Sequence, residues 1–291
     1  MSIIHNTNRI GNFTSSEIYR LMSNGKKPGT LGASALSYIQ EKKFELQLGR
    51  RLGADNDARS TSWGNLLESR AFDLLGMEYT LASQETLVHP IIQHWSGSPD
   101  GWKIKDGHKC VIDIKCPATL NSFCQMVQPL YDGLTGTMLM NELRDSHKDM
   151  EKYYWQLVSN AILTESNKAE LIVYMPFKSE LEVIREYATN WDGERIHRFF
   201  WIANSQDDEL PFINDGGFYT NINKQQIVTH YSTHLQITLL LSKSLSFLTT
   251  QFQHMLDPSL VSSFLVRFQS FHVANNCYQF LEHFSVASIR H

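Results

Sequence analysis

The hydrophobic period of the chain changes near residue 84, and this change limits the possible folds more than any other feature. Before it, apolar residues recur at the helical spacing of three and four positions. Three segments have that spacing, and Ser60, Thr61 and Ser62 can cap the third: 15–23, 34–48 and 63–76. After it come short runs of β-branched and aromatic residues between Pro, Gly and Asp, which predict strands at 84–89, 91–95 and 109–115. Helices followed by a strand meander predict helices packed on a sheet.

The second half of the chain continues this mixture. Its patterns predict a helix at 120–127, a Gly-rich loop, a stronger helix at 150–164 and a buried strand at 169–175. Two further runs, 181–187 and 198–203, are interpreted as edge strands. The sequence therefore predicts an α/β (α+β) fold in which a central mixed β-sheet is flanked by helices.

The composition shifts at residue 226, which suggests a boundary between a domain at 1–225 and a C-terminal extension at 226–291. Those last 66 residues carry five charged side chains, far below the chain average of 19%, and six of the twelve histidines. We expect a helical extension packed on the main domain, although a shifted reading frame would also produce such a composition. We assign the extension no function.

Bulk charge and cysteine content set limits on partners and compartment. The net charge of -4 gives no overall nucleic-acid signature, but residues 1–53 hold eight basic against three acidic side chains. The apolar run 239–248 is interrupted by Ser and Lys and is too short for a membrane span, so no membrane partner is expected. Four cysteines without CxxC spacing, and no apolar signal segment at the start, favour a reducing cytoplasm.

One strand carries residues suited to metal-assisted hydrolysis. In Asp113-Ile114-Lys115, the side chains at i and i+2 share a face, so a carboxylate and an ammonium are presented together. A carboxylate fixed in this way is a hard ligand for Mg²⁺. The ammonium can orient a metal-bound water and, if its pKa is depressed, help to deprotonate it. This pair is the arrangement that phosphodiester hydrolysis requires.

Two more carboxylates can reach the same place. Asp100, in the turn Ser98-Pro99-Asp100-Gly101, lies between candidate strands that could pair as a hairpin and bring it to Asp113. Glu68 borders the apolar stripe of the third helix, one turn after Gly64. Each feature has an ordinary interpretation when it is taken alone: a turn, a solvated ion pair and a surface glutamate. Their order and spacing together indicate a site.

Five motifs in one order resemble a known family. They are the segment RIGNFTSSE at 9–17, Trp63-Gly64 followed by Glu68, SPDG at 98–101, DIKCP at 113–117 and YYWQ at 153–156. This set resembles the PD-(D/E)xK nuclease superfamily and, within it, the phage alkaline exonucleases typified by lambda exonuclease and the YqaJ-type viral recombinases. The resemblance covers about residues 9–175 and implies a restriction-endonuclease-like core.

The resemblance implies a role for each matching position. Asp100, Asp113 and the Ile114 carbonyl would bind the metal, with Glu68 as a further ligand. Lys115 would activate water, assisted by Gln156. Arg9 and Ser16 match positions that hold the 5′-phosphate of a DNA end, and a planar guanidinium suits that task. The implied cofactor is Mg²⁺, with Mn²⁺ as a possible substitute and two ions in the site. The sequence departs from lambda exonuclease at Asp113, where that enzyme has Glu.

Several functions remain open at this stage. The leading hypothesis is an exonuclease that digests one strand of duplex DNA from an end and supplies single strands to an annealing recombinase; related enzymes form ring trimers around DNA. An endonuclease of restriction or repair type is the alternative. A second alternative is a non-catalytic DNA-end-binding protein. The retention of Glu68, Asp100, Asp113 and Lys115 argues against it. An iron-sulfur nuclease is disfavoured because its cluster needs four suitably placed thiolates.

Overall fold

The computed structural model describes most of the chain up to residue 232. The described residues are 9–27, 30–53, 58–82, 86–90, 92, 94–105, 107–134, 136–166, 168–190, 196–217 and 227–232. All of them belong to one compact unit that spans 1–237. The extension predicted at 226–291 lies outside the described residues, apart from a strand at 227–232.

The helices follow the predicted order closely in the first half of the chain. A 3-10 helix, Ser15–Met22, precedes α1 (Ala33–Leu48) and α2 (Arg59–Asp73). Then come α3 (Leu120–Tyr131), α4 (Gly136–Ser146), α5 (Met150–Leu163), α6 (Leu181–Thr189) and α7 (Phe200–Asn204). Short 3-10 turns lie at Lys178–Glu180, Ile196–Arg198 and Asp207–Glu209. None of the described helices is long and apolar enough to cross a bilayer.

The described residues include eight strands, which form two sheets. They are β1 (Phe13–Thr14), β2 (Tyr79–Leu81), β3 (Leu87–Val88), β4 (Trp95–Gly97), β5 (Gly101–Lys105), β6 (His108–Lys115), β7 (Lys168–Val173) and β8 (Ile227–Ser232). The larger sheet has the order β2-β5-β6-β7-β8, with β6 and β7 parallel and the other neighbours antiparallel. The smaller sheet has the order β1-β4-β3. The predicted fold class, a mixed sheet flanked by helices, is confirmed.

The two faces of β6 meet different helices. Ile112 and Ile114 pack in a buried core with Trp63 and Leu67 of α2. Because side chains alternate along a strand, Asp113 lies on the other face, where α5 contacts it. The site residues therefore stand on a strand that is covered on both sides.

Three predictions about secondary structure after residue 127 are wrong. The segment 181–187 is helical rather than an edge strand, because Leu181, Ile184 and Ala188 all pack into the core, and their spacing is that of a helix face. The run 198–203 likewise ends in the short helix α7. The Gly-rich loop contains helix α4, whose Leu139 and Leu143 are buried one turn apart.

Strand β5 was missed at the sequence level. It forms a tight hairpin with β6 in which Lys105 pairs with His108 and Gly107 adopts a φ of +72°, a conformation that favours glycine. The Asp-Gly pair at 106–107 is a strong short-range hairpin signal and would have predicted this strand. The hairpin partner of β6 is thus 101–105 rather than 91–95.

Candidate active site

Strand β6 presents an ion pair at its C-terminal end. Lys115 Nζ lies 2.6 Å from Asp113 Oδ2, and the Asp113 side chain has no exposed surface, while that of Lys115 is 20% exposed. The intervening Ile114 is 5% exposed and points into the core beneath α2. A carboxylate buried this completely requires compensation, because removing a charge from water is costly unless it is paired.

The register of the β5–β6 hairpin sets Asp100 against Asp113. Gly101 pairs with Ile112, so the next position outward places Asp100 opposite Asp113. Asp100 Oδ2 accepts a 2.5 Å hydrogen bond from the Ile114 backbone N–H. Burial raises the pKa of Asp100 well above its usual range, and the charges of Asp113 and Glu68 raise it further. The pKa shift reflects carboxylates crowded together in a buried place.

Helix α2 brings Glu68 to the same cluster. Burial raises the pKa of the Glu68 carboxyl; the Lys115 ammonium opposes that shift, and the Asp113 carboxylate adds to it. Glu68 is therefore within electrostatic reach of the residues on β6, although it stands on a different element. Trp63 fixes the start of this helix, because its Nε1 donates a 3.1 Å hydrogen bond to the Pro117 carbonyl just beyond β6.

Helix α5 completes the cluster from the opposite face. Gln156 Nε2 donates a 2.7 Å hydrogen bond to Asp113 Oδ1. Asp113 is thus held by an amide at one oxygen and an ammonium at the other. One turn earlier, the Tyr153 ring lies under the Lys115 ammonium, with 5.1 Å between Nζ and the ring centroid.

The charge on Lys115 is firmly held. Burial acts to lower the pKa of this ammonium, but the Asp113 and Asp100 carboxylates outweigh burial and raise it above its ordinary value. In the metal-free protein this shift is opposite to the lowered pKa that a role as proton acceptor requires. Lys115 is suited instead to orient a water molecule or to stabilise negative charge on a phosphate.

The donor atoms suit a divalent cation with few protein ligands. Among the described residues, no three acidic, His or Cys side chains are arranged to enclose an ion by themselves. Mg²⁺ does not require such a cage, since it binds one or two carboxylates and retains several waters. Asp100 and Asp113 stand opposite each other, and burial together with the neighbouring carboxylates raises the pKa values of Asp100 and Glu68. Oxygen donors of this kind fit Mg²⁺.

The N-terminal segment lies beside the strand that leads to Asp100. Thr14 of β1 pairs with Ser96 of β4, four residues before Asp100. Ser16 Oγ lies 3.2 Å from Thr14 Oγ1. The Arg9 Nε atom is buried without a hydrogen-bond partner among the described residues, and burial, together with the nearby Arg51, lowers the pKa of Arg9.

Arg9 and Ser16 do not join the central cluster through direct contacts. In the part of the chain that the structure describes, no hydrogen bond or ion pair links either residue to Asp113, Lys115 or Gln156. The structure brings together Glu68, Asp100, Asp113, Lys115 and Gln156. Neither Arg9 nor Ser16 takes part in those described interactions.

Two of the thiols around β6, those of Cys110 and Cys116, are too far apart to ligate one cluster. Cys110, Cys116 and Cys124 are free, and Cys277 lies outside the described residues. Six residues of extended chain, about 20 Å, separate Cys110 from Cys116. Burial and the Glu68 carboxylate raise the pKa of Cys116, which leaves it an unreactive thiol.

No family model and no curated protein matches the sequence. The chain is similar to several solved structures. LHK-Exo in complex with dAMP has a TM-score of 0.47 and 17% identity over 87% of this chain and 95% of that one. An alkaline exonuclease, LHK-Exo from Laribacter hongkongensis, has a TM-score of 0.44 and 16% identity, over 96% of this chain and 95% of that one. A phage-related exonuclease from Haemophilus somnus 129PT has a TM-score of 0.47 and 15% identity, over 84% of this chain and 96% of that one.

These similarities are weak, with identities of 15 to 17% and TM-scores of 0.44 to 0.47. The chemistry of the site therefore has to be inferred from its own geometry.

Sequence reasoning assigned no role to one residue of the site. The YYWQ motif includes Tyr153, but only Gln156 was given a role, yet the Tyr153 ring contacts the Lys115 ammonium. The signal was present in the spacing, because residues at i and i+3 share a helix face and Gln156 was already expected near the site. That spacing would have predicted Tyr153 beside Gln156.

Proposed function

We propose that this chain is a Mg²⁺-dependent deoxyribonuclease that hydrolyses phosphodiester bonds. We further propose that it acts as an exonuclease, degrading one strand of duplex DNA in the 5′ to 3′ direction from a 5′-phosphorylated end. The observation that carries the proposal is the buried Asp113, held by Lys115 and Gln156, with Asp100 opposite and Glu68 nearby. A structural ion pair would not require two further buried carboxylates beside it.

The proposed ligands are Asp100, Asp113, the Ile114 carbonyl and Glu68, which together would hold one or two ions. When bound, Mg²⁺ would lower the pKa of a water molecule and neutralise charge on the phosphate. Gln156 keeps Asp113 in one orientation, and the Ile114 N–H does the same for Asp100. Lys115 directs its ammonium toward the reacting phosphate, where a fixed positive charge stabilises the transition state. Mn²⁺, another cation that suits oxygen ligands, is expected to substitute.

Recognition of the DNA end is assigned to Arg9 and Ser16. A guanidinium binds phosphate through two parallel N–H bonds, and the Arg9 Nε atom has no internal acceptor among the described residues. The neighbouring Arg51 adds positive charge, which favours an anion at this place. Both features support a phosphate subsite in the N-terminal segment.

The proposed biological setting follows from the activity. An exonuclease of this type would produce single strands for an annealing recombinase in the cytoplasm of a bacterial or phage-infected cell. A ring-shaped homotrimer around the duplex would allow processive digestion. Light scattering of the purified protein, with and without duplex DNA, tests the trimer.

An endonuclease of restriction or repair type is a second candidate, because no described hydrogen bond or ion pair links Arg9 or Ser16 to the central cluster. The same central chemistry serves both activities, so substrate choice has to separate them.

Three duplexes test these candidates: linear with 5′-phosphates, linear without them, and a covalently closed circle. With Mg²⁺, we expect rapid release of nucleotides from the phosphorylated linear duplex alone. Cleavage of the circle would favour the endonuclease. A wild-type protein as inactive as Asp113→Ala would contradict both enzymes and favour a non-catalytic end-binding protein. Arg9→Ala should remove the preference for phosphorylated ends and leave the rate on unphosphorylated ends unchanged.

Dependence on the metal has a measurement separate from activity. Titration of metal-free protein with Mg²⁺ should raise its melting temperature, since a ligand that binds only the folded state stabilises it. Asp113→Ala should lose most of that increase. Equal increases in both proteins would contradict the proposed ligands.

A further inference from the structure

The Lys115 ammonium lies between a carboxylate and an aromatic ring. Its Nζ is 2.6 Å from Asp113 Oδ2 and 5.1 Å from the centroid of the Tyr153 ring. A cation within about 6 Å of a ring centroid is attracted by the negative face of the ring. Lys115 has four flexible side-chain bonds, so two contacts from different directions restrict it far more than the ion pair alone.

The ring of Tyr153 is itself fixed by a buried histidine. His147 stacks on it, with 6.2 Å between ring centroids and an interplanar angle of 29°. His147 Nδ1 accepts a 3.2 Å hydrogen bond from the Asp149 backbone N–H, so Nε2 carries the proton. That Nε2 donates to Ser122 Oγ at 2.8 Å. Helix α3 thereby holds the imidazole, and the imidazole holds the tyrosine ring.

One face of α5 touches both members of the central ion pair. Tyr153 and Gln156 are three residues apart, and residues at that spacing lie side by side on a helix. Gln156 binds Asp113 and Tyr153 lies under Lys115. The relative position of carboxylate and ammonium is therefore fixed from a single rigid element.

We propose that Tyr153 is a positioning residue, whose ring face holds the Lys115 ammonium in its working orientation during phosphodiester hydrolysis. This inference rests on the proposed nuclease function. The ring face, rather than the hydroxyl group, supplies the effect, because the described contact is between Nζ and the ring. The contact acts on Lys115, so its loss changes the chemical step rather than the binding of DNA.

The test compares Tyr153→Phe, which keeps a ring, with Tyr153→Leu, which removes it. We expect the Leu variant to lose roughly 3- to 30-fold in kcat, the range for losing a partly desolvated cation–π contact, with little change in KM. The Phe variant should remain near wild type. Phe212→Leu is a matched control, because Phe212 lies 5.7 Å from the Lys178 ammonium and outside the site. It should lose some thermal stability and no kcat.

A second measurement does not require activity. In metal-free protein with isotopically labelled lysine, the ring current of Tyr153 should shift the NMR signals of the Lys115 ε-methylene, identified with Lys115→Arg. That shift should persist in Tyr153→Phe and disappear in Tyr153→Leu.

The outcomes separate this inference from the function on which it rests. An active wild type with unchanged kcat in Tyr153→Leu would contradict the role of Tyr153 and leave the nuclease intact. A Phe variant as slow as the Leu variant would assign the effect to the hydroxyl and overturn the proposal. A wild type inactive on every duplex would contradict the nuclease function, and the positioning role with it.

Discussion

Gln156 Nε2 donates a 2.7 Å hydrogen bond to Asp113 Oδ1, and this bond joins helix α5 to strand β6 at the centre of the site. Without it, one oxygen of a fully buried carboxylate would lose its donor. Hydrogen-bond partners of metal ligands orient those ligands and are worth about 10- to 100-fold in activity or metal affinity.

We therefore expect Gln156→Leu to lower kcat/KM by roughly 10- to 100-fold and to raise the Mg²⁺ concentration needed for half-maximal rate. Steady-state kinetics over a Mg²⁺ series measures both. Gln128→Leu is a suitable control, because Gln128 makes the same kind of bond, to Asp132, on an exposed surface. Equal activities of the two variants would show that the bond to Asp113 has no part in catalysis.

The raised pKa of Asp100 predicts how the stability of the metal-free protein depends on pH. Because the folded state holds a proton on Asp100 to higher pH than the unfolded state, the free energy of unfolding falls as pH rises above about 4. Asp100→Asn removes this loss, so its stability relative to wild type should increase from pH 4 to pH 8. Urea unfolding in the presence of a chelator measures the difference.

Asp215 provides a control of opposite sign for that experiment. Hydrogen bonds from Ser179 lower the pKa of Asp215, so its contribution to stability is present at neutral pH and is lost on acidification. The stability of Asp215→Asn relative to wild type should therefore rise as pH falls. The same trend in both variants would show that the raised pKa of Asp100, caused by burial and by the neighbouring carboxylates, does not set the pH dependence.

Gly97 is expected to tolerate no side chain. A Cβ there would collide with Ser15 Oγ and would lie 2.7 Å from both Asn160 Oδ1 and Leu163 Cδ1, so that β4 could not keep its place against α5. Overpacking of this kind costs roughly 1–3 kcal/mol, so Gly97→Ala should lower the melting temperature. Gly64→Ala should raise it, because nothing lies within 4 Å of that Cβ and alanine favours a helix. Thermal unfolding of both variants distinguishes a packing effect from a general effect of the substitution.

Lys103 and Glu170 form a buried ion pair on the face of the larger sheet opposite Asp113. Removing one partner alone should destabilise the protein. Lys103 Nζ lies 2.6 Å from Glu170 Oε1, and the Glu170 side chain has no exposed surface. Lys103→Met leaves a buried negative charge without its cation, which should cost about 3 kcal/mol. Adding Glu170→Gln should recover most of that loss. A double variant less stable than Lys103→Met would contradict this account, and urea unfolding of the three proteins provides the comparison.

Local patterns in the sequence were sufficient for the elements that carry the site. The alternation of Asp113, Ile114 and Lys115 predicted a shared face for the acid and the ammonium, because the two-residue period belongs to any strand. Helices α1, α2 and α5 followed from their apolar spacing to within a few residues. Strand alternation and helical spacing depend only on residues close together in the chain, so the sequence alone displays them.

Segments with two acceptable patterns could not be decided in this way. Leu181 and Val183 fit a strand, whereas Leu181, Ile184 and Ala188 fit a helix. The helix forms because its stripe packs on the core, while Val183 stays 39% exposed. Tertiary burial, which the sequence does not display, selected between them.

The candidate site shows the same division. The sequence by itself determined the candidate residues: three acids, one lysine and one glutamine at recognisable spacings. Only the tertiary structure decided that Asp100 stands opposite Asp113, because this register depends on where the β5–β6 hairpin turns. It alone placed the Tyr153 ring beneath Lys115 and raised the pKa of that ammonium, since both effects arise between elements that are distant in the chain and meet only when the core packs.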